Sequence, residues 1–165
     1  MSVSGDGETF AAPTADSLVN GAGLDLGELA VLLGYSLKRA QLKVFDDFLS
    51  NVSSLELTPA QFSVLLLVDR NPGRNQTEIA STLGILRPNF VAMLDVLESR
   101  DLCRRMRSSI DRRSHVLGLT ENGQAVLARA KKMVIGKHEA RLIEVLGKDN
   151  HAALLAMLAK INAEF

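Results

Sequence analysis

Between residues 25 and 50 the apolar positions Leu26, Leu29, Leu33, Leu37, Ala40, Val44 and Phe48 recur at spacings of three and four, the repeat of one helix face. Leu42, Phe45 and Leu49 widen that face, so the helix needs more than one surface to pack against. Asp25 and Glu28 predict its start through a capping box. Gly27 and Gly34 weaken helix propensity, and a close approach by a neighbour is expected at Gly34. Thr58-Pro59-Ala60-Gln61 predicts a second start, with Thr at N-cap, Pro at the first helical position and Gln at N3. This short helix carries Phe62, Leu65 and Leu66 and ends at Asn71-Pro72-Gly73.

Asn75 and Glu78 open a third helix. Ala80 lies four residues before Gly84, and Ile79, Leu83, Ile85, Phe90, Met93, Leu94 and Leu97 can close one core around the turn. Glycine takes the turn and alanine lets two helices approach, the spacing of a helix-turn-helix. Its second helix is expected from about Arg87 to Arg100, with Pro88 tolerated in the first turn. Leu102 to Thr120 then reads as two short strands around an Arg-rich polar loop, and a helix-turn-helix followed by a basic hairpin is a winged DNA-binding domain. Thr120 caps a long helix reaching Leu146-Gly147, and a last helix runs from about Asp149 to Ala163 with Leu154, Leu155, Leu158 and Ile161.

The expected fold is therefore mainly α with a small two-stranded β-wing (α+β). Residues 1–23, mostly small or polar, are expected to form a flexible tail. The winged helix-turn-helix occupies 55–120. Segments 24–52 and 121–165 carry more apolar face than a winged domain can cover, which predicts a helical dimerisation region built from both chain ends.

Composition adds three constraints. Aromatic residues are 4% and Trp is absent although hydrophobic residues reach 47%, a mix that favours helix-on-helix packing. Formal net charge is zero, yet residues 100–113 hold six arginines against Asp101 and Asp111. That window is +4 and the rest −4, so a local basic patch can orient a phosphate backbone on an acidic body. One cysteine, Cys103, excludes an internal disulfide and a Cys-rich zinc site. No secretory signal and no apolar run long enough to span a membrane is present, and the expected location is cytoplasmic.

Four segments resemble the MarR family of transcriptional regulators: Leu33 to Gln41, Gln76 to Gly84, Leu94 to Leu102, and Asp111-Arg112-Arg113 with Leu119 to Gly123. The resemblance covers about residue 25 to the C-terminus. It implies a homodimer on a pseudo-palindromic operator, more often a repressor, and a ligand pocket for small aromatic or phenolic acids between the dimerisation and DNA-binding parts. It implies also that Arg113 enters the DNA minor groove, that Asp111 holds it and that Arg112 takes a phosphate. The chain departs from the family pattern at Asp101, where Gly is common, at Leu86, a usual polar N-cap position, and at Val91 and Ala92, where a hydroxyl and an arginine are frequent.

The candidate DNA contacts are Arg87, Pro88, Asn89, Val91 and Ala92 in the first turns of the recognition helix. Asn pairs with adenine, Arg with guanine, and Val91 and Ala92 with thymine methyls; a solvated helix end is the plain alternative. Arg112 and Arg113 at the wing tip suit a narrow minor groove, against an exposed Arg–Asp pair of little consequence. Arg104, Arg105 and Arg107 suit phosphates. Gln76 and Thr77 at a helix start offer side chains and backbone N–H groups to phosphate. Tyr35, Arg39 and Phe62 are the candidate ligand-binding residues, Arg39 meeting a carboxylate, although Tyr35 and Phe62 as plain core is an equal reading.

Cys103 has arginines nearby that favour a thiolate, but a structural strand cysteine is the preferred reading. A pairing of His115 with Cys103 across the wing is the one arrangement that approaches a metal site. No nucleophile–base constellation or phosphate-cradling glycine loop is present, so neither enzymatic activity nor a cofactor is expected. Expected partners are an operator duplex, a second copy and a small effector. A winged-helix protein-interaction module and a redox switch through Cys103 are the alternatives.

Overall fold

The computed structural model describes residues 24–107 and 115–164. A boundary between compact units falls between Val44 and Phe45. On the first side, Gly27–Val31 forms a 3-10 turn, and helix α1 (Leu33–Val52) begins only after Leu32, which is extended at ψ 120°. The single helix expected from Asp25 is thus broken. Asp25 Oδ1 accepts the Gly27 N–H at 2.9 Å, but Gly27 takes φ +49°, a value that cannot continue an α-helix. Among the described residues nothing approaches Gly34; a Cβ there would meet open space.

The second unit follows the predicted order. Helix α2 (Pro59–Arg70) and helix α3 (Gln76–Thr82) each start with a complete capping box, Thr58 with Gln61 and Asn75 with Glu78. Helix α4 (Arg87–Ser99) departs from α3 at 113°, within the range of a helix-turn-helix. Gly84 makes that turn at φ +62°, and the Ile85 N–H reaches back to the Ala80 carbonyl at 3.0 Å. Strand β1 (Cys103–Arg107) pairs antiparallel with β2 (His115–Leu119), Cys103 opposite Leu119 and Arg107 opposite His115. A further bridge joins Asn75 to Val116, and the Leu117 N–H donates to the Arg74 carbonyl at 2.9 Å. The segment before α3 therefore closes the other edge of β2, which the hydrophobic pattern does not reveal.

Between α4 and β1, Asp101 takes φ +52°. The left-handed turn is made by Asp in place of Gly, a conformation Asp tolerates better than most side chains. Thr120 caps α5 (Glu121–Met133) by accepting the Gly123 N–H. The long helix continues through a π-helical segment (Val134–Glu139) into α6 (Ala140–Leu146) and stops at Gly147, φ +80°. Helix α7 (Lys148–Glu164) follows. The core of this unit gathers Phe48 and Val52 from α1, Leu65 from α2, Phe90, Leu94 and Leu97 from α4, Leu117 from β2 and Leu127 from α5.

Candidate nucleic-acid interface

Helix α4 is anchored along one side by Phe90, Leu94 and Leu97, each 1% exposed or less. Arg87, Pro88, Asn89 and Ala92 are exposed on the opposite side and Val91 is half-buried. Four of the five residues assigned to base contact are thus exposed in the helix's first two turns, and Val91 is not. Leu86, at the N-cap, makes no side-chain bond to the helix. A cleft of about 170 Å³ separates α3 from α4, lined by Gln76, Thr77, Ala80, Ile85, Arg87 and Val91 among others.

At the start of α3, Thr77 is exposed and Gln76 half-buried. Their expected use of backbone N–H groups toward phosphate needs correction for Thr77. Asn75 Oδ1 already accepts the N–H groups of Thr77 and Glu78, at 2.9 and 3.0 Å. Only the Thr77 side chain remains for a phosphate. The Asn75 backbone N–H, then the Arg74 guanidinium, holds the Glu78 carboxyl below the usual range.

The arginine cluster divides in three. Arg100 donates to the carbonyls of Glu56 and Leu55 at 2.7 and 2.8 Å, fixing the turn before α2 to the end of α4. Arg105 pairs with Glu98 and, at 2.9 Å, with Asp95, while its own N–H donates to Glu98 Oε1. It ties the strand to the recognition helix and has its charge answered within the chain. So held, Arg105 is not offered to a phosphate in this structure. Arg104 and Arg107 are exposed, and no ion pair is found for either among the described residues. Arg112 and Arg113, with Asp111, lie outside the described residues.

Cys103 is buried, and its thiol is pushed up to about 11, first by burial and then by Glu98, with Arg105 opposing. A thiolate is therefore disfavoured despite the nearby arginines. His115 stands opposite Arg107, at the far end of the ladder from Cys103, so the register forbids their pairing. No group of three metal-ligating side chains occurs among the described residues.

Helix α4 thus presents two polar and several apolar side chains in its first turns, with exposed Arg104 and Arg107 on β1. Residues 57–115 match the MarR family. A transcriptional repressor, CouR, solved with p-coumaroyl-CoA, is 68% identical, with 86% of this chain and 99% of that chain covered and a TM-score of 0.82. The chain belongs to the MarR family. CouR has also been solved on a 23-mer DNA duplex, at 70% identity, 84% and 98% coverage and a TM-score of 0.80. A protein proposed to regulate the hcr operon of Thauera aromatica is 32% identical over 110 residues, 66% of either chain. A MarR variant from E. coli, complexed with operator DNA, is 25% identical, with 84% and 99% coverage and a TM-score of 0.75. MarR-family membership makes this chain a winged-helix transcriptional regulator.

Of the candidate ligand residues, Tyr35 is half-buried and Arg39 exposed on α1. Phe62, on α2, is half-buried against Phe48, ring centroids 5.7 Å apart. Sequence reading missed the group next to Phe48. His138, 4% exposed, sits in the π-helical segment with its ring edge-on to Phe48. Its Nδ1 donates to Asp47 Oδ2 at 2.7 Å, and Arg141 pairs with the other carboxylate oxygen. The His138 bond, then the Arg141 charge, holds the Asp47 carboxyl below its usual range despite partial burial. His138 continues the buried face of Leu127, Ala130 and Val134 into the π-helical segment.

Proposed function

We propose that this protein is a homodimeric repressor, acting in the cytoplasm without catalysis, that leaves its operator on binding an aromatic acyl-CoA thioester such as p-coumaroyl-CoA. The 68% identity to CouR over 99% of that chain carries the reading. The operator would be gripped by α4, through Arg87, Pro88, Asn89, Val91 and Ala92, and by the wing, through Arg107, Arg112 and Arg113. Thr77 and Gln76 would contribute side chains at the groove edge.

The effector class is narrower than the aromatic acid expected from sequence. A thioester has no free carboxylate, so an arginine such as Arg39 would meet phosphate or carbonyl oxygens of the CoA portion instead. Phe62, beside Phe48, remains suited to the aromatic end. Dimerisation has a clear physical motive. Helices α6 and α7 bury no residue within their own chain, and Val145, Leu154, Leu155 and Met157 are exposed. Obligate interfaces of this sort bury more than ~2,000 Å² in total.

A ligand regulates only through different affinities for the DNA-competent and DNA-incompetent spacings of the two recognition helices. The test is fluorescence anisotropy of the protein on a duplex from its own upstream region, titrated with p-coumaroyl-CoA, p-coumarate and CoA. Release by the thioester at lower concentration than by either half is expected. Equal potency of p-coumarate would return the reading to a free acid, and no release by any of the three would remove the effector assignment.

A further inference from the structure

We propose that Leu86 is a base-reading residue whose isobutyl group packs on a thymine 5-methyl in each operator half-site. This rests on the DNA-binding reading above and adds to it a residue that determines specificity. Leu86 is 73% exposed, and Leu86 and Val96 are the only strongly exposed large apolar residues in the described chain between α1 and the π-helical segment. Helices α2, α3 and α5 are each capped by a side chain, from Thr58, Asn75 and Thr120. The recognition helix is not; its N-cap is Leu86, with φ −59° and ψ 137° and no capping bond. Leucine at that position forfeits a stabilising cap and leaves a hydrocarbon group in water. Both costs are recovered if the group is covered when the helix enters the major groove.

The neighbours say what covers it. Recognition helices meet base edges with their N-terminal residues, and Leu86 precedes Arg87 at that end. Pro88 and Ala92 are exposed further along the helix, and Val91 borders the apolar cleft with Ile85 and Phe90. Only Arg87 and Asn89 in this stretch can hydrogen-bond a base. In the major groove the one apolar group that a base pair offers is the thymine methyl. An exposed leucine at the entry of this helix is complementary to that group and to none of the polar base edges.

The experiment uses full-length protein and a duplex it selects from a random pool. Each thymine is replaced by deoxyuridine, symmetrically in the two half-sites, which removes one methyl and keeps every hydrogen bond. Burying one methyl is worth roughly fourfold in affinity, so wild type should lose about 10- to 20-fold at one symmetric thymine pair. Leu86→Ser should lose sensitivity to uridine at that pair only, retain it at the other thymines, and melt no lower than wild type because serine restores a cap. If Leu86→Ser does not fold, Leu86→Ala takes its place in the same comparison. Identical uridine penalties for wild type and variant at every thymine would overturn the proposal while leaving DNA binding intact. Recovery of no duplex from the pool would overturn the DNA-binding reading, and this inference with it.

Discussion

Arg105 and Arg107 lie two residues apart on one strand, yet only one of them should register in the salt dependence of DNA binding. Arg105 is 26% exposed at its side chain, with Glu98 and Asp95 as partners, whereas Arg107 is exposed at the base of the wing. Each phosphate contact contributes about −0.9 to the slope of log affinity against log salt. A dimer carrying Arg107→Ala loses two such contacts, so its slope should be flatter by roughly 1.8. Across a fourfold rise in salt, from about 50 to about 200 mM, its deficit relative to wild type should shrink by about 12-fold. Arg105→Ala should leave the slope unchanged and cost no more than about 1 kcal/mol of stability, as partly exposed ion pairs do. Anisotropy titrations at four or five salt concentrations, with urea unfolding alongside, measure both. A slope for Arg105→Ala as flat as that for Arg107→Ala would show that Arg105 abandons Glu98 for phosphate on DNA, and the division of the arginine cluster would be wrong.

Three further outcomes follow from local geometry. A Cβ on Gly123 would lie 1.8 Å from the Leu102 carbonyl oxygen, where α5 presses on the backbone before β1. Gly123→Ala should cost about 3 kcal/mol or more, at the upper end for overpacking, and a urea midpoint within error of wild type would contradict this contact. Asp47 has its folded carboxyl held low by His138 and then Arg141. Its contribution is therefore present above the unfolded value of roughly 3.9 and lost as pH falls through the lower folded value. Asp47→Asn should destabilise at pH 7 and converge with wild type below about pH 4; a constant gap across that range would refute the linkage. Cys103→Ser should retain operator binding, and peroxide should release wild type no more than the variant, since burial keeps the thiol protonated up to about 11.

Local signals were readable in the sequence and long-range partnerships were not. Thr58 with Gln61, and Asn75 with Glu78, specify their helix starts within four residues, and Gly84 specifies the turn by its φ of +62°. Asp101 adopts the left-handed turn that its place before β1 demands. By contrast, Arg105 looked like a free cation because its partners Asp95 and Glu98 sit on the preceding helix and meet it only after the chain reverses. Arg100 caps carbonyls 44 and 45 residues upstream. His138 meets Asp47 across 91 residues, and nothing in Val134 to Glu139 announces a π turn. Gly27 has the composition of a weak helical residue, but its positive φ starts a 3-10 turn that extended Leu32 separates from α1.

The most direct test of the account is a hydroxyl-radical footprint of the purified protein on the DNA upstream of its own gene. Two recognition helices of one dimer must enter successive major grooves about 34 Å apart. The account predicts two symmetric protected patches centred about one helical turn apart, with flanking minor-groove protection from the wings. A single unpaired patch, or uniform protection with no symmetry, would contradict it.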